Sequence, residues 1–115
     1  MIILYGIRNC DTVKKARSWL DQHNIDHELV DFKKTPPSAD QLRSWCQQCD
    51  WEPLVNRRGT TWRKLSDSDK QDLDQNKAIA LMQANSSLIK RPVWQIGQQI
   101  LIGFDDNVRQ QLSAL

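Results

Sequence analysis

Four apolar, β-favouring residues, Ile2-Ile3-Leu4-Tyr5, run without a polar break and stop at Gly6. A strand with no polar face is predicted to be buried, at the centre of a sheet. The rest of the chain must then supply its neighbours. At 115 residues the chain is long enough for one domain with a real core.

The next segments show how the first neighbours are supplied. After a short loop, Ile7-Arg8-Asn9-Cys10, the spacing turns helical from about Asp11 to His23. Val13, Ala16 and Leu20 share one face, and Lys14, Lys15 and Arg17 lie elsewhere. Leu29, Val30 and Phe32 mark a second strand. A strand-helix-strand order over about thirty residues predicts a parallel pair with a right-handed crossover.

Pro36-Pro37 breaks this pattern, and Ser38-Ala39-Asp40-Gln41 is a capping-box sequence that opens a helix. Leu42, Trp45, Cys46 and Cys49 form its apolar stripe. Residues 51–65 have no clean period. Ser66 or Ser68 is predicted to cap another helical stretch, with Leu73 as its main apolar residue, and Ala78, Ile79 and Met82 mark a further helix face. Residues 92–96 and 99–102 are predicted as two strands joined by a turn at Gly97. Asp105 or Asp106 would cap a last helix with Val108, Leu112 and Leu115 inward. The expected architecture is α/β: a mixed four-stranded sheet with a helical insert at about 38–90, in a single domain over 1–115.

Bulk properties exclude several function classes. With 39 % apolar and 26 % charged residues the chain is expected to be a soluble globule and not disordered. A net charge of +2 gives no argument for nucleic acid. No apolar run approaches the roughly 20 residues of a membrane span, and no basic stretch precedes the short apolar start as in a signal peptide. A cytoplasmic monomer is expected. Its three cysteines, an odd number, argue against a disulfide scaffold and leave catalysis, redox work or packing.

Cys10 is the sharpest candidate. It follows a buried strand and begins a helix, where free backbone N–H groups and the helix dipole favour negative charge. The thiolate is the nucleophilic form of cysteine. Arg8 and Lys14 add positive potential, and Asp11 opposes them. Position 13 is Val13, so Cys10 has no C-x-x-C partner. The C-x-x-C present is Cys46-Gln47-Gln48-Cys49, on the stripe with Leu42 and Trp45. Core packing accounts for it; the alternative is that one of these thiols resolves an oxidised Cys10. Two histidines and no second cysteine pair make no zinc site, so no metal is expected. Two basic groups remain, one in the segment from Asn56 to Lys64 and one at Lys90-Arg91. Guanidinium planes there suit carboxylates and oxyanions.

Four stretches together resemble the arsenate reductase (ArsC)/Spx family, in its YffB-like branch. They are the segment from Leu4 to Arg17, the segment from Asn56 to Leu65, and Ile89-Lys90-Arg91-Pro92 with Ile102-Gly103-Phe104. The resemblance implies a thioredoxin-like fold with a helical insert and Cys10 as catalytic cysteine. It implies that Arg91 and Arg58 bind the anion, with Arg57 the alternative to Arg58, and that Pro92 is a cis-proline. Asn9 joins them as an anion-binding candidate. The family's third arginine falls where this chain has Gly103.

The resulting expectation is a glutathione-dependent thiol or disulfide reductase. It has no bound cofactor, glutathione is the co-substrate, and glutaredoxin is a candidate partner. Two alternatives stand beside it. One is reduction of arsenate, a small oxyanion, coupled to glutathione and glutaredoxin. The other is a Spx-like regulator that binds RNA polymerase, against which Val13 speaks because such regulators commonly carry C-x-x-C at the front site.

Overall fold

A computed structural model describes residues 1–115. The chain divides into two compact units, one of residues 1–35 with 91–115 and one of residues 36–90.

The first unit is built on a four-stranded sheet. Strand β1 (Ile2–Gly6) pairs in parallel with β2 (His27–Asp31) and antiparallel with β3 (Val93–Ile96), which pairs antiparallel with β4 (Gln99–Ile102). The order is β2-β1-β3-β4, so the unbroken apolar run is an inner strand. Helix α1 (Asp11–Gln22) connects β1 to β2, and α6 (Asp106–Ser113) follows β4.

Side-chain alternation decides what each face carries. Ile2 and Leu4 of β1, Trp94 of β3 and Leu101 of β4 meet Ala16 and Leu20 of α1 and Val108 and Leu112 of α6 in one cluster. Leu4, Ala16, Leu20 and Trp94 are fully buried. Such a side chain contributes roughly 1.5–3 kcal/mol of transfer free energy on burial. Tyr5 and Val93, register partners, point to the opposite face, where the Tyr5 ring stacks near Phe32 at 6.3 Å. Gly97, at φ +61°, makes the tight connection between β3 and β4. Asp105, not Asp106, caps α6 by accepting from the Val108 N–H at 2.9 Å. This is the mixed four-stranded α/β architecture expected from the order of the elements.

The second unit is helical. Ser38 Oγ accepts from the Gln41 N–H at 3.1 Å and starts α2 (Ala39–Cys49). Asp74 starts α5 (Gln75–Ala84) by accepting from the Lys77 N–H at 2.8 Å. Leu42, Trp45 and Cys46 of α2 and Ala78, Ile79 and Met82 of α5 are buried, and the two helices pack on each other. Between them lie α3 (Thr60–Lys64) and α4 (Asp67–Lys70), the latter capped by Ser66 and not Ser68. Short 3-10 turns cover Glu52–Leu54 and Ser86–Leu88. An antiparallel bridge joins Val55 to Ile89, flanked by bonds from the Asn56 N–H to Leu88 O at 2.9 Å and the Lys90 N–H to Leu54 O at 2.8 Å.

Some expectations need correction. Leu115 is 66 % exposed, because α6 ends at Ser113 before a further turn could bring it inward. Trp19 packs half-buried against the sheet cluster, and Trp94 within that cluster is fully buried. Cys49 is also half-buried, since it ends α2 where the stripe runs out. Leu73 lies beyond the end of α4 and is half-buried. No helix is long and apolar enough to cross a membrane.

Candidate active site

The end of β1 sets the position of Cys10. Ile7 to Cys10 form a turn closed by the Cys10 N–H donating to Ile7 O at 3.0 Å. Arg8 and Asn9 occupy the middle of this turn and are exposed. Cys10 is the N-cap of α1, with extended backbone at φ −82° and ψ 129°. Its carbonyl accepts the Lys14 N–H at 2.9 Å, the first bond of the helix. The backbone of Cys10 is therefore held on both sides while its thiol makes no capping bond and is half-buried. The N–H groups of Asp11, Thr12 and Val13 precede any carbonyl the helix can offer them. They and the dipole form the positive end at which a thiolate or another anion is stabilised. Asp11, exposed in the first turn, supplies an opposing charge.

Sheet pairing delivers a second group to this end of the unit. Tyr5 pairs with Val93, so the two residues before Val93, Arg91 and Pro92, lie beside the end of β1. The Arg91–Pro92 peptide is cis. A Cβ on Gly6 would stand 3.9 Å from the Arg91 Cβ and 2.8 Å from Val13 Cγ2. Only hydrogen at Gly6 lets α1 and the Arg91 segment approach β1 this closely. Val13 is fully buried against it. The place of a resolving cysteine three residues after Cys10 is thus filled by a packed core residue.

Pro92 is braced from β4. Its carbonyl accepts the Gly103 N–H at 2.8 Å, and the Gly103 carbonyl accepts the Trp94 indole N–H at 2.7 Å. Gly103 is buried and has φ +82°, a conformation that side-chain-bearing residues rarely adopt. Gly103 is therefore a hydrogen-bonded backbone link between the cis-proline and a core tryptophan.

Arg58 belongs to the helical unit. It lines a cavity of about 370 Å³ together with Arg57, Asn56, Glu52 and Lys90. The Val55–Ile89 bridge brings the segment from Asn56 to Arg58 and Lys90 to one place. The basic pair Lys90-Arg91 is thereby divided: Lys90 faces this cavity, and Arg91 begins the return to the sheet. Sequence spacing carried no signal for that division, since it follows from one long-range bridge. The weight of Gly6 was also missed; a glycine ending a buried strand just before a helix was the available sign.

The other two thiols differ in chemistry. Burial, with the Asp50 carboxylate as a smaller cause, raises Cys46 above its ordinary range. Burial, then Cys46 and Asp50, pushes Cys49 up to about 11. Cys49 Sγ also donates to Trp45 O at 3.2 Å. Both are held as thiols and are poor nucleophiles at neutral pH.

Comparison with known proteins places this arrangement. Residues 5–112 match the model of the ArsC family. The structure of a protein designated YFFB is similar, with a TM-score of 0.91, 45 % identity, and coverage of 96 % of this chain and 97 % of that one. The solution structure of an arsenate reductase (ArsC) related protein from Brucella melitensis superposes with a TM-score of 0.79 at 39 % identity, covering 99 % of this chain and 95 % of that one. The global transcriptional regulator Spx of Streptococcus pyogenes is 31 % identical over 116 residues, spanning 98 % of this chain and 86 % of that protein.

Proposed function

The chain belongs to the ArsC family, and on that premise we propose that it is a glutathione-dependent thiol–disulfide reductase with Cys10 as its nucleophile. The observation that supports this most is the N-cap placement of Cys10, its backbone fixed and its thiol uncommitted at the positive end of α1. The cis-proline segment with Arg91 lies at the same end of the sheet.

One thiol suffices for the chemistry. The Cys10 thiolate attacks the glutathione sulfur of a mixed disulfide, an S–S bond breaks, and the substrate leaves as a thiolate that takes a proton. Cys10 then carries glutathione. A second glutathione thiolate attacks the glutathione sulfur of that adduct, releasing oxidised glutathione and regenerating the Cys10 thiolate. Glutathione is oxidised, the substrate is reduced, and no resolving cysteine is required. Arg91 and Arg58 are the guanidinium groups assigned to carboxylates, and Asn9 is the exposed amide beside Cys10.

Reduction of arsenate has less support. A tetrahedral oxyanion is best held by several converging cations. At the third family position Gly103 supplies none, and its left-handed backbone disfavours an arginine there. The regulator reading rests only on the likeness to Spx.

Incubation with oxidised glutathione followed by peptide mapping tests the proposal. A single glutathione adduct on Cys10 is expected, absent in Cys10→Ser and kept in Cys46→Ser. An adduct that persists in Cys10→Ser and disappears in Cys46→Ser contradicts it. With arsenate, glutathione and glutaredoxin, turnover is expected to equal that of Cys10→Ser.

A further inference from the structure

We propose that the disulfide on which Cys10 acts is carried by an acidic protein, and that this protein docks on a cationic rim made by Arg8, Lys14, Lys33 and Lys34. That Cys10 needs a disulfide partner rests on the function proposed above; the rim does not.

Topology gathers these cations around the thiol. β1 and β2 are parallel, so both end at the same edge of the sheet. The Phe32 N–H donates to Gly6 O at 2.7 Å, which sets the turn carrying Lys33 and Lys34 beside the turn that leads to Cys10. The Asp31 carboxylate accepts the Lys33 N–H at 2.9 Å and fixes that turn. Arg8 lies in the turn before Cys10. Lys14 follows Cys10 by four residues, so the two share one side of α1. All four cations are exposed, and none is in an ion pair.

The carboxylates lie elsewhere or are engaged. From Ser18 to Phe32 there is no lysine or arginine, and the exposed Asp21, Asp26 and Glu28 lie toward the opposite end of the sheet. At the Cys10 end, Asp11 has Lys15 four residues on, the helical spacing at which opposite charges offset each other. Beyond β4, Asp105 is taken up by the cap of α6 and Asp106 by Arg109. The strand-helix-strand unit is therefore a dipole with its positive pole around Cys10. Such a field steers an oppositely charged partner and orients it on approach.

The form of the rim selects a macromolecule. Its cations come from three separate segments and lie open to solvent, whereas small ligands are taken up in concave, enclosing sites. A nucleic acid carries the complementary charge but no sulfur for Cys10 to attack. An acidic protein supplies both the charge and a cysteine. In the exchange, the Cys10 thiolate bonds to the glutathione sulfur, the S–S bond breaks, and the protein cysteine leaves as a thiolate that takes a proton. Acidic side chains around that cysteine meet the rim while its disulfide reaches Cys10.

Three substrates test this: a glutathionylated cysteine peptide with glutamates around the cysteine, the same peptide with glutamines in their place, and the small mixed disulfide of glutathione with mercaptoethanol. At low ionic strength kcat/KM is expected to be about tenfold higher for the glutamate peptide than for the glutamine peptide, and the gap should close in about 1 M salt. Lys33→Glu combined with Lys34→Glu should remove the preference and leave the mercaptoethanol disulfide unchanged. Both positions are exposed, and circular dichroism checks that the double variant folds. Equal rates for the two peptides, or a double variant that slows all three substrates alike, overturns the docking and leaves Cys10 as the reductase nucleophile. No turnover of any substrate overturns the reductase. Docking is then decided by titration with the glutamate peptide bearing serine in place of cysteine, which must bind the wild type and lose about tenfold in affinity in the double variant. An oligodeoxythymidylate that binds more tightly than this peptide, and loses its binding in the double variant, assigns the rim to nucleic acid and overturns the proposal.

Discussion

At the scale of single residues, two positions carry the site's geometry, and neither is charged. Gly6 lies where α1 and the Arg91 segment converge on β1. An alanine there would put its Cβ 2.8 Å from Val13 Cγ2. Gly6→Ala is expected to cost about 1–3 kcal/mol by overpacking. Val13→Ala in the same chain should recover part of that loss, measurable as a coupling energy in a denaturation cycle. Gly103 is the second position. Gly103→Arg is expected to cost roughly 1–3 kcal/mol through its backbone conformation and to leave arsenate turnover at background. Arsenate reduction restored by that single change would show that the backbone tolerates the missing cation. Cys10 was legible from sequence because a strand, a glycine and a helix start bracket it. The role of Gly103 was not, because a positive φ has no signature beyond the glycine itself.

At the scale of elements, the caps and the stripes were legible and the short connections were not. Ser38 forms the bond to the Gln41 N–H that the capping-box pattern predicts, and of the two aspartates the sequence left open, Asp105 caps the last helix. Ser38→Ala is expected to destabilise the chain by about 0.5–2 kcal/mol, read from the denaturation midpoint at unchanged slope. Residues 51–65 showed no period because a 3-10 turn, a bridge residue and one short helix share them. Their structure comes from the Val55–Ile89 pairing across thirty-odd residues, which no local window contains. The inward ending of α6 failed for the same kind of reason. A helical stripe continues in sequence to Leu115, but the helix itself stops at Ser113.

At the scale of the whole molecule, the three cysteines divide by environment, and this gives a pH dependence. Folding raises the Cys46 and Cys49 thiols above their ordinary value of 9.0, Cys49 to about 11. Above pH 9 the unfolded chain releases these protons while the folded chain keeps them, so the unfolded state binds fewer protons and stability falls as pH rises. The loss through Cys49 runs from about pH 9 to about pH 11 and then levels. The difference in unfolding free energy between wild type and Cys49→Ala, followed from pH 8 to pH 11, should therefore change in favour of the variant. A constant difference would mean that the fold does not hold Cys49 as a thiol.

The same division tests the central claim most directly. Site-resolved alkylation at pH 7, with peptides counted by mass spectrometry over time, compares all three thiols in one folded protein. Cys10, at the positive end of α1 and half-buried, is predicted to label about tenfold faster than Cys46 or Cys49. Cys10 labelled no faster than the two thiols of α2 would contradict its assignment as the nucleophile.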